Sequence, residues 1–284
     1  MRTSGNAHPA AVWLTLLLTA VLLCRALPGT AAQEESRATE DTEVSLTPSS
    51  ALSRQIATRP FLEWSTWDVQ YLYGFNWNLG NNPFDTITFE HADSWRYGDN
   101  YFFLDVYNVT ENVRSGAATY LYGEWHPRFS LSKLSGVDFS WGLLRDVLLA
   151  NELNFSDVNH FFSHCHGVGL SLALPGFSFA NVNVFARDDR HQPGVTWQIK
   201  LDWLIPFRVQ RLSLSYGGYI GFAGAEGPLS SYIIAETQLL LDVGEFFQYR
   251  NRLFVGVEFK CWRNEFGIPS QTEYMLQPMV KWVF

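Results

Sequence analysis

Beyond about Trp64 the chain alternates. In "STWDVQYLYGFNWNL" one set of positions reads Trp67, Val69, Tyr71, Tyr73, Phe75, Trp77 and Leu79, and the interleaved set holds Asp68, Gln70, Asn76 and Asn78. A period of two sustained this long belongs to a half-buried β-strand, because a helix returns to the same face only every three or four residues. The rhythm recurs in "LYGEWHPRF", where Leu121, Trp125 and Phe129 alternate with Tyr122, Glu124, His126 and Arg128. It recurs again in "VTWQIKLDW" and "RLFVGVEFKCW", and in the closing "TEYMLQPMVKWVF", whose apolar set runs from Tyr274 to Phe284. The pattern predicts about twelve strands, near 64–79, 84–92, 101–110, 119–129, 146–155, 160–174, 177–187, 194–205, 210–223, 230–243, 252–263 and 273–284. Turn residues separate them, as in "LGNNP", "GDN", "DDRHQPG", "GAEGP" and "FGIPS". Only "GLLRDVLLANEL" competes as a helix. Pro278 forfeits a ladder hydrogen bond, so a local bulge is expected there.

Composition decides what the strands enclose. Hydrophobic residues make up 47% of the 284, yet mean hydropathy is only -0.06, so apolar and polar residues are finely interleaved. A soluble sandwich also alternates, but its outer face meets water and carries many charges. Here charged residues are 17% and aromatics 16%, with eleven tryptophans, and the large aromatics stand at the ends of the apolar faces. Tryptophan and tyrosine at strand ends form the girdle of a membrane barrel. The expected fold is all-β, a transmembrane antiparallel β-barrel of about twelve strands at 61–284, touching outer-membrane lipid. An even strand number lets the first and last close antiparallel, and Phe284 then stands at the periplasmic edge as a terminal aromatic of the kind that the bacterial barrel-assembly machinery reads.

The amino end changes the picture of where the barrel goes. Arg2, the apolar run "AVWLTLLLTAVLLC" and small residues at Ala31 and Ala32 read as a secretory signal peptide over 1–32, with an uncleaved anchor as the alternative. Residues 33–60 are polar and lack aromatics until the barrel begins, which predicts a disordered, acidic tail. Cys165 and Cys261 remain after cleavage; two cysteines are no disulfide framework and are expected free. The net charge of -8 argues against nucleic acid as a partner. No nucleotide-binding or metalloprotease motif occurs and no serine is marked as a nucleophile, so no enzyme and no cofactor are expected. His164 and His166 share one strand face but offer only two ligands, so they carry no metal expectation.

Two stretches, "TITFEHADSWRYGDNYFFLDV" (86–106) and "EWHPRFSLSKLSG" (124–136), with the terminal strand, resemble the Tsx and OmpK-like nucleoside-specific channel family. The similarity extends with gaps from about Trp64 to Phe284. It implies a twelve-stranded barrel in the bacterial outer membrane whose narrow lumen passes nucleosides and deoxynucleosides passively. It also implies loops that phages or colicins can use for docking, although the short loops and acidic tail of this chain depart from that pattern.

Assigning the polar set of each strand to the lumen mixes acids, bases and amides with the aromatics Tyr101, Phe103, Tyr107, Tyr122 and Phe185. A flat base stacks on such rings, and carboxylates accept from ribose hydroxyls. The candidate substrate-binding residues are Asp68, Glu90, Phe103, Asp105, Glu124 and Arg128, with Glu124 and Arg128 also able to brace the wall as an ion pair. Each site must hold weakly, or the passenger blocks the pore. A generic small-solute porin and a surface receptor or adhesion barrel without specific transport are the competing functions.

Overall fold

A computed structural model describes residues 60–80 and 82–284. The expected signal peptide (1–32) and all but the last residue of the polar segment 33–60 lie outside the described residues. The strands are β1 (Leu62–Gly74), β2 (Phe84–Trp95), β3 (Gly98–Tyr107), β4 (Tyr120–Ser130), β5 (Leu144–Ser156), β6 (Phe162–Leu172), β7 (Phe179–Asp189), β8 (Thr196–Val209), β9 (Leu212–Ala223), β10 (Tyr232–Asp242), β11 (Leu253–Arg263) and β12 (Thr272–Val283). Each pairs with its chain neighbour, and β1 pairs with β12, so the sheet closes into a twelve-stranded antiparallel barrel. Closure gives every strand two partners and removes the sheet edge, which a hydrocarbon layer cannot satisfy. No helix among the described residues is long and apolar enough to cross a membrane.

The period of two becomes an inside and an outside. On β12, Tyr274 and Leu276 are each 56% exposed, while the interleaved Met275 is 4% and Gln277 5%. Trp67, Phe89, Trp125, Val184 and Trp197 are likewise exposed on the outer surface. The opposite faces turn Gln70, Thr88, Glu124, Glu152, Asn183 and Lys200 inward, where they are buried among one another. The interior of this barrel is therefore polar and aromatic, apart from a small apolar knot of Leu72, Leu240 and Met279 against Phe254.

The strand expected near 146–155 is β5, so the competing helical reading of "GLLRDVLLANEL" falls away, and the helical turns lie elsewhere: α1 (Val109–Ser115) and α2 (Leu131–Ser135). Two local expectations are corrected. Pro278 carries no bulge, since β11 and β12 pair in unbroken register through Val257↔Pro278. The β1–β12 ladder runs only from Asp68↔Val283 to Leu72↔Met279, so the proline falls just beyond the last β1 partner and its missing N–H costs no β1 bond. The alternation up to Leu79 also overstates β1. The strand ends at Gly74, and Asn76 adopts a positive φ of 62° that breaks the extended run. Past Gly74 the chain leaves the wall and turns over the mouth at this end, called here the far mouth; the other end carries Leu62 and Val283. Cys165 and Cys261 are free thiols.

Candidate functional site: the lumen wall

Register places the six candidate residues on four adjacent inward rows. Asp68 of β1 stands opposite Glu90 of β2, which stands opposite Phe103 of β3, which stands opposite Glu124 of β4. Asp105 lies two residues beyond Phe103 towards the far mouth, opposite Tyr122. Arg128 lies four residues beyond Glu124 towards the other end. The two segments singled out in the sequence thus make one continuous patch of wall.

Asp68 and Glu90 are not free acids. Both receive the Lys281 ammonium from β12, at 3.0 and 2.8 Å, and Glu90 also accepts from the Tyr101 hydroxyl at 2.8 Å. The cluster ties β12, β1 and β2 at the closing seam of the barrel. Asp105 accepts from Thr88 at 2.6 Å and from Tyr107 at 3.0 Å, with no base in hydrogen-bonding distance among those contacts.

Glu124 and Arg128 do not pair. Arg128 forks onto Asp99 of β3, with Nε and Nη2 at 2.7 and 3.0 Å from the two carboxylate oxygens. Glu124 takes the Lys200 ammonium from β8 at 2.6 Å, the Tyr122 hydroxyl at 2.7 Å and His126 Nε2 at 2.7 Å. Lys200 also reaches Glu152 of β5 at 3.1 Å. One long side chain therefore links three strands, β8, β4 and β5, across the interior. Four residues along a strand separate their Cα atoms by about 13 Å, with His126 between, so each side chain is satisfied by a cross-strand partner instead. Glu124, His126 and Glu152 are also grouped closely enough to resemble a metal site. Lys200 Nζ already serves as their shared cation, so the cluster is complete as a salt-bridge network.

Between these networks runs an aromatic row. Phe103 has Tyr101 on one side at 6.0 Å between ring centroids and Tyr122 on the other at 5.9 Å, and Tyr107 and Tyr120 stack at 4.6 Å nearer the far mouth. Tyr101, Phe103 and Tyr122 are half-buried, so their faces are available to the lumen. On the other wall Tyr219 donates to Glu236 at 3.1 Å, and Glu258 accepts from both Gln238 and Gln277 at 2.9 Å. Inward carboxylates, including Asp68, Glu90, Asp99, Asp105, Glu124, Glu152, Asp202, Glu236 and Glu258, outnumber the inward cations Arg128, Arg187, Lys200, Lys260 and Lys281. Among the described residues the lumen is therefore richer in carboxyl groups than in basic ones.

A family model described as "Nucleoside-specific channel-forming protein, Tsx" matches residues 61–226. The chain belongs to this family. Among curated relatives, an outer membrane protein OmpK of Vibrio parahaemolyticus is 23% identical over 176 residues, which is 60% of this chain and 65% of the relative. An OmpK of Vibrio parahaemolyticus serotype O3:K6 (strain RIMD 2210633) is 24% identical over 200 residues, 66% of this chain and 74% of the relative. The matched stretch thus spans just under two thirds of the first relative's length. This Tsx-family chain is an outer-membrane β-barrel. The Tsx match covers β1 to β9 and contains all six candidate residues; Glu236, Glu258, Lys260 and Lys281 lie beyond it.

Reasoning from single strands did not find the partners. Lys200 reaches Glu124 over 76 residues of chain and Lys281 reaches Glu90 over 191, and no spacing in the sequence indicates either. Trp77, in the apolar phase of the first alternating segment, leaves that phase and donates its indole N–H to Glu265 Oε1 at 3.1 Å.

Proposed function

We propose that the channel passes nucleosides and deoxynucleosides passively, with Phe103 and its flanking tyrosines as the stacking row for the base. The observation that carries the reading is the arrangement of Tyr101, Phe103 and Tyr122 in a half-buried line with Glu90, Asp105 and Glu124 beside it. A nucleoside is a flat apolar disc joined to a hydroxyl-bearing ring. The aromatic line accepts the disc, and the carboxylates accept from the hydroxyls.

Within this reading the six residues have different tasks. Phe103 contacts the base. Asp105, held by two neutral hydroxyls, receives ribose hydroxyls, and Glu90 and Glu124, whose oxygens already accept from Tyr101, Lys281, Tyr122 and Lys200, do so through their remaining lone pairs. Asp68 and Arg128 act mainly on the wall, Asp68 by sharing Lys281 with Glu90 and Arg128 by neutralising Asp99. The excess of carboxyl over basic groups favours an uncharged nucleoside over its phosphorylated form, because the inward cations Arg128, Lys200, Lys260 and Lys281 are already taken by wall carboxylates and leave no counter-charge for a phosphate. The family description and the names of the relatives support a channel of this kind. We also assign Phe284 to recognition by the barrel-assembly machinery: its ring is exposed past the end of β12, while its N–H is fixed to the Trp67 carbonyl at 2.9 Å.

The test is flux into liposomes reconstituted with the purified barrel. Replacing Phe103 and Asp105 together by alanine is expected to lower nucleoside flux at low concentration while leaving flux of a small sugar alcohol intact. Equal nucleoside flux in wild type and double variant contradicts the assignment of these two residues. A channel that passes nucleosides no better than sugars of equal size indicates a generic pore.

A further inference from the structure

His164 and His166 stand on the outer face of β6. The residues that alternate with them, Ser163 and Cys165, are fully buried, and Val168, next on the histidine face, is exposed. Register carries this face onto the neighbouring strands: Asp188 of β7 lies opposite His164, and Asn151 of β5 lies opposite His166. Farther from the far mouth the same outer face is greasy, with Leu149, Val168 and Val184 exposed. A wall built to meet hydrocarbon gains nothing from two imidazoles, a carboxylate and an amide set side by side, so the group calls for another reason.

Spacing in the sequence offers only two ligands here, and the fold supplies a third. His164 Nε2 lies 3.7 Å from Asp188 Oδ2. That is too long for a hydrogen bond, yet close to the ~3.4 Å between two ligand atoms on one tetrahedral ion with bonds of ~2.0–2.2 Å. The His164 and His166 ring centroids are 5.1 Å apart. Two imidazoles sharing such an ion have centroids roughly 5 Å apart, so side-chain rotation alone, with the backbone as it stands, can aim both at a common point. His166 Nδ1 is already engaged, 2.7 Å from the Asn151 amide oxygen. An amide oxygen only accepts, so the proton sits on Nδ1 and Nε2 keeps its lone pair, which is how an outer partner fixes the tautomer of a metal-bound histidine. The His164 and Asp188 side chains are 35% and 42% exposed, so an ion reaches them from outside. Arg190, two residues beyond Asp188, lies over the Phe162 ring at 5.1 Å from its centroid.

We propose that His164, His166 and Asp188 form a binding site for a divalent transition-metal ion of the zinc type on the outer surface near the far mouth, with Asn151 as its positioning residue. Two nitrogens and one carboxylate oxygen suit zinc, nickel or copper and disfavour calcium and magnesium, which take oxygen ligands. Three protein ligands leave the fourth position to water. Histidines two apart on one strand and a ligand opposite them on the next put all three donors on one face of the sheet, and the bound ion staples β6 to β7. The site faces away from the lumen, so it stands or falls apart from the nucleoside reading.

The experiment is calorimetric titration of zinc chloride, and separately of calcium chloride, into the untagged, chelator-treated barrel in detergent. The proteins compared are wild type, His164→Gln, His166→Gln, Asp188→Asn, Asn151→Leu and His126→Gln, each first shown to be folded by heat-modifiable gel migration. Wild type is expected to bind a single zinc ion saturably and to ignore calcium. Each of the three ligand substitutions is expected to weaken zinc about tenfold or more, and Asn151→Leu about tenfold by releasing the His166 ring. Cobalt(II) in place of zinc is expected to give the visible absorption of a tetrahedral site in wild type and to lose it in the ligand variants. Wild type that binds no zinc, or zinc affinity unchanged in all three ligand variants, overturns the proposal. So does loss of zinc in His126→Gln alone, which puts the ion at the Glu124, His126 and Glu152 cluster inside the lumen.

Discussion

Lys200 is the residue on which the interior depends most. Its ammonium serves Glu124 and Glu152, and Glu124 in turn holds His126, with the charged side chains of Lys200, Glu124 and Glu152 all buried. Removing one partner of a buried ion pair leaves the others uncompensated, which typically costs about 3–5 kcal/mol. Lys200→Met is therefore expected to lower the temperature at which the barrel loses its compact gel migration, by far more than Arg208→Met, whose exposed pair with Glu245 is worth at most ~1 kcal/mol. Equal migration temperatures for the two variants contradict this reading. Phe103 is the counterpart for binding. Loss of one stacking face costs ~1–3 kcal/mol, so Phe103→Ala is expected to weaken nucleoside block about tenfold, read from the concentration giving half-maximal block. At this scale the sequence tells which side of the wall a residue faces, because alternation is strict. It does not tell which partner a charged side chain finds: Glu124 and Arg128 are close in sequence and on one face, yet their partners come from β8 and β3.

Among elements, the strands were legible almost throughout and their ends were not. Alternation continues from Trp67 to Leu79, but the strand stops at Gly74, because Asn76 takes a left-handed conformation and the chain turns over the mouth. No periodicity announces that change, since Trp77 and Leu79 keep the apolar phase. The segment "GLLRDVLLANEL" shows the converse: adjacent leucines suggest a helix, but Leu148, Ala150 and Glu152 face in while Leu149 faces out, and β5 completes the ladder between β4 and β6. Two element-level predictions follow from local geometry. Gly218 in β9 holds a φ of 140°, and a Cβ there would lie 2.1 Å from the Glu236 carbonyl oxygen of β10. Gly218→Val is expected to prevent formation of the heat-modifiable barrel, whereas Gly116→Ala, with open space around its Cβ, should leave the barrel formed despite local strain at its positive φ. Asp85 caps α1 by accepting from the N–H groups of Thr110 at 3.0 Å and Glu111 at 3.1 Å. Loss of a cap costs about 1 kcal/mol, so Asp85→Ala is expected to speed proteolysis between β3 and β4 without altering the lumen.

For the whole molecule, the fold and its place in the outer membrane follow from one physical requirement: a backbone in hydrocarbon must be satisfied internally, and alternating strands with a greasy outer face do this by closing. That much was readable because it is repeated twelve times. The proposed function is carried by what the closure leaves inside, an acid-rich lumen with an aromatic row on β3 and β4, and this depends on contacts between residues far apart in the chain. The most direct measurement is single-channel conductance of the reconstituted barrel, titrated with a nucleoside and, separately, with its 5′-monophosphate. The account predicts concentration-dependent block by the nucleoside and markedly weaker block by the monophosphate. Conductance indifferent to both, or block stronger for the monophosphate, contradicts it.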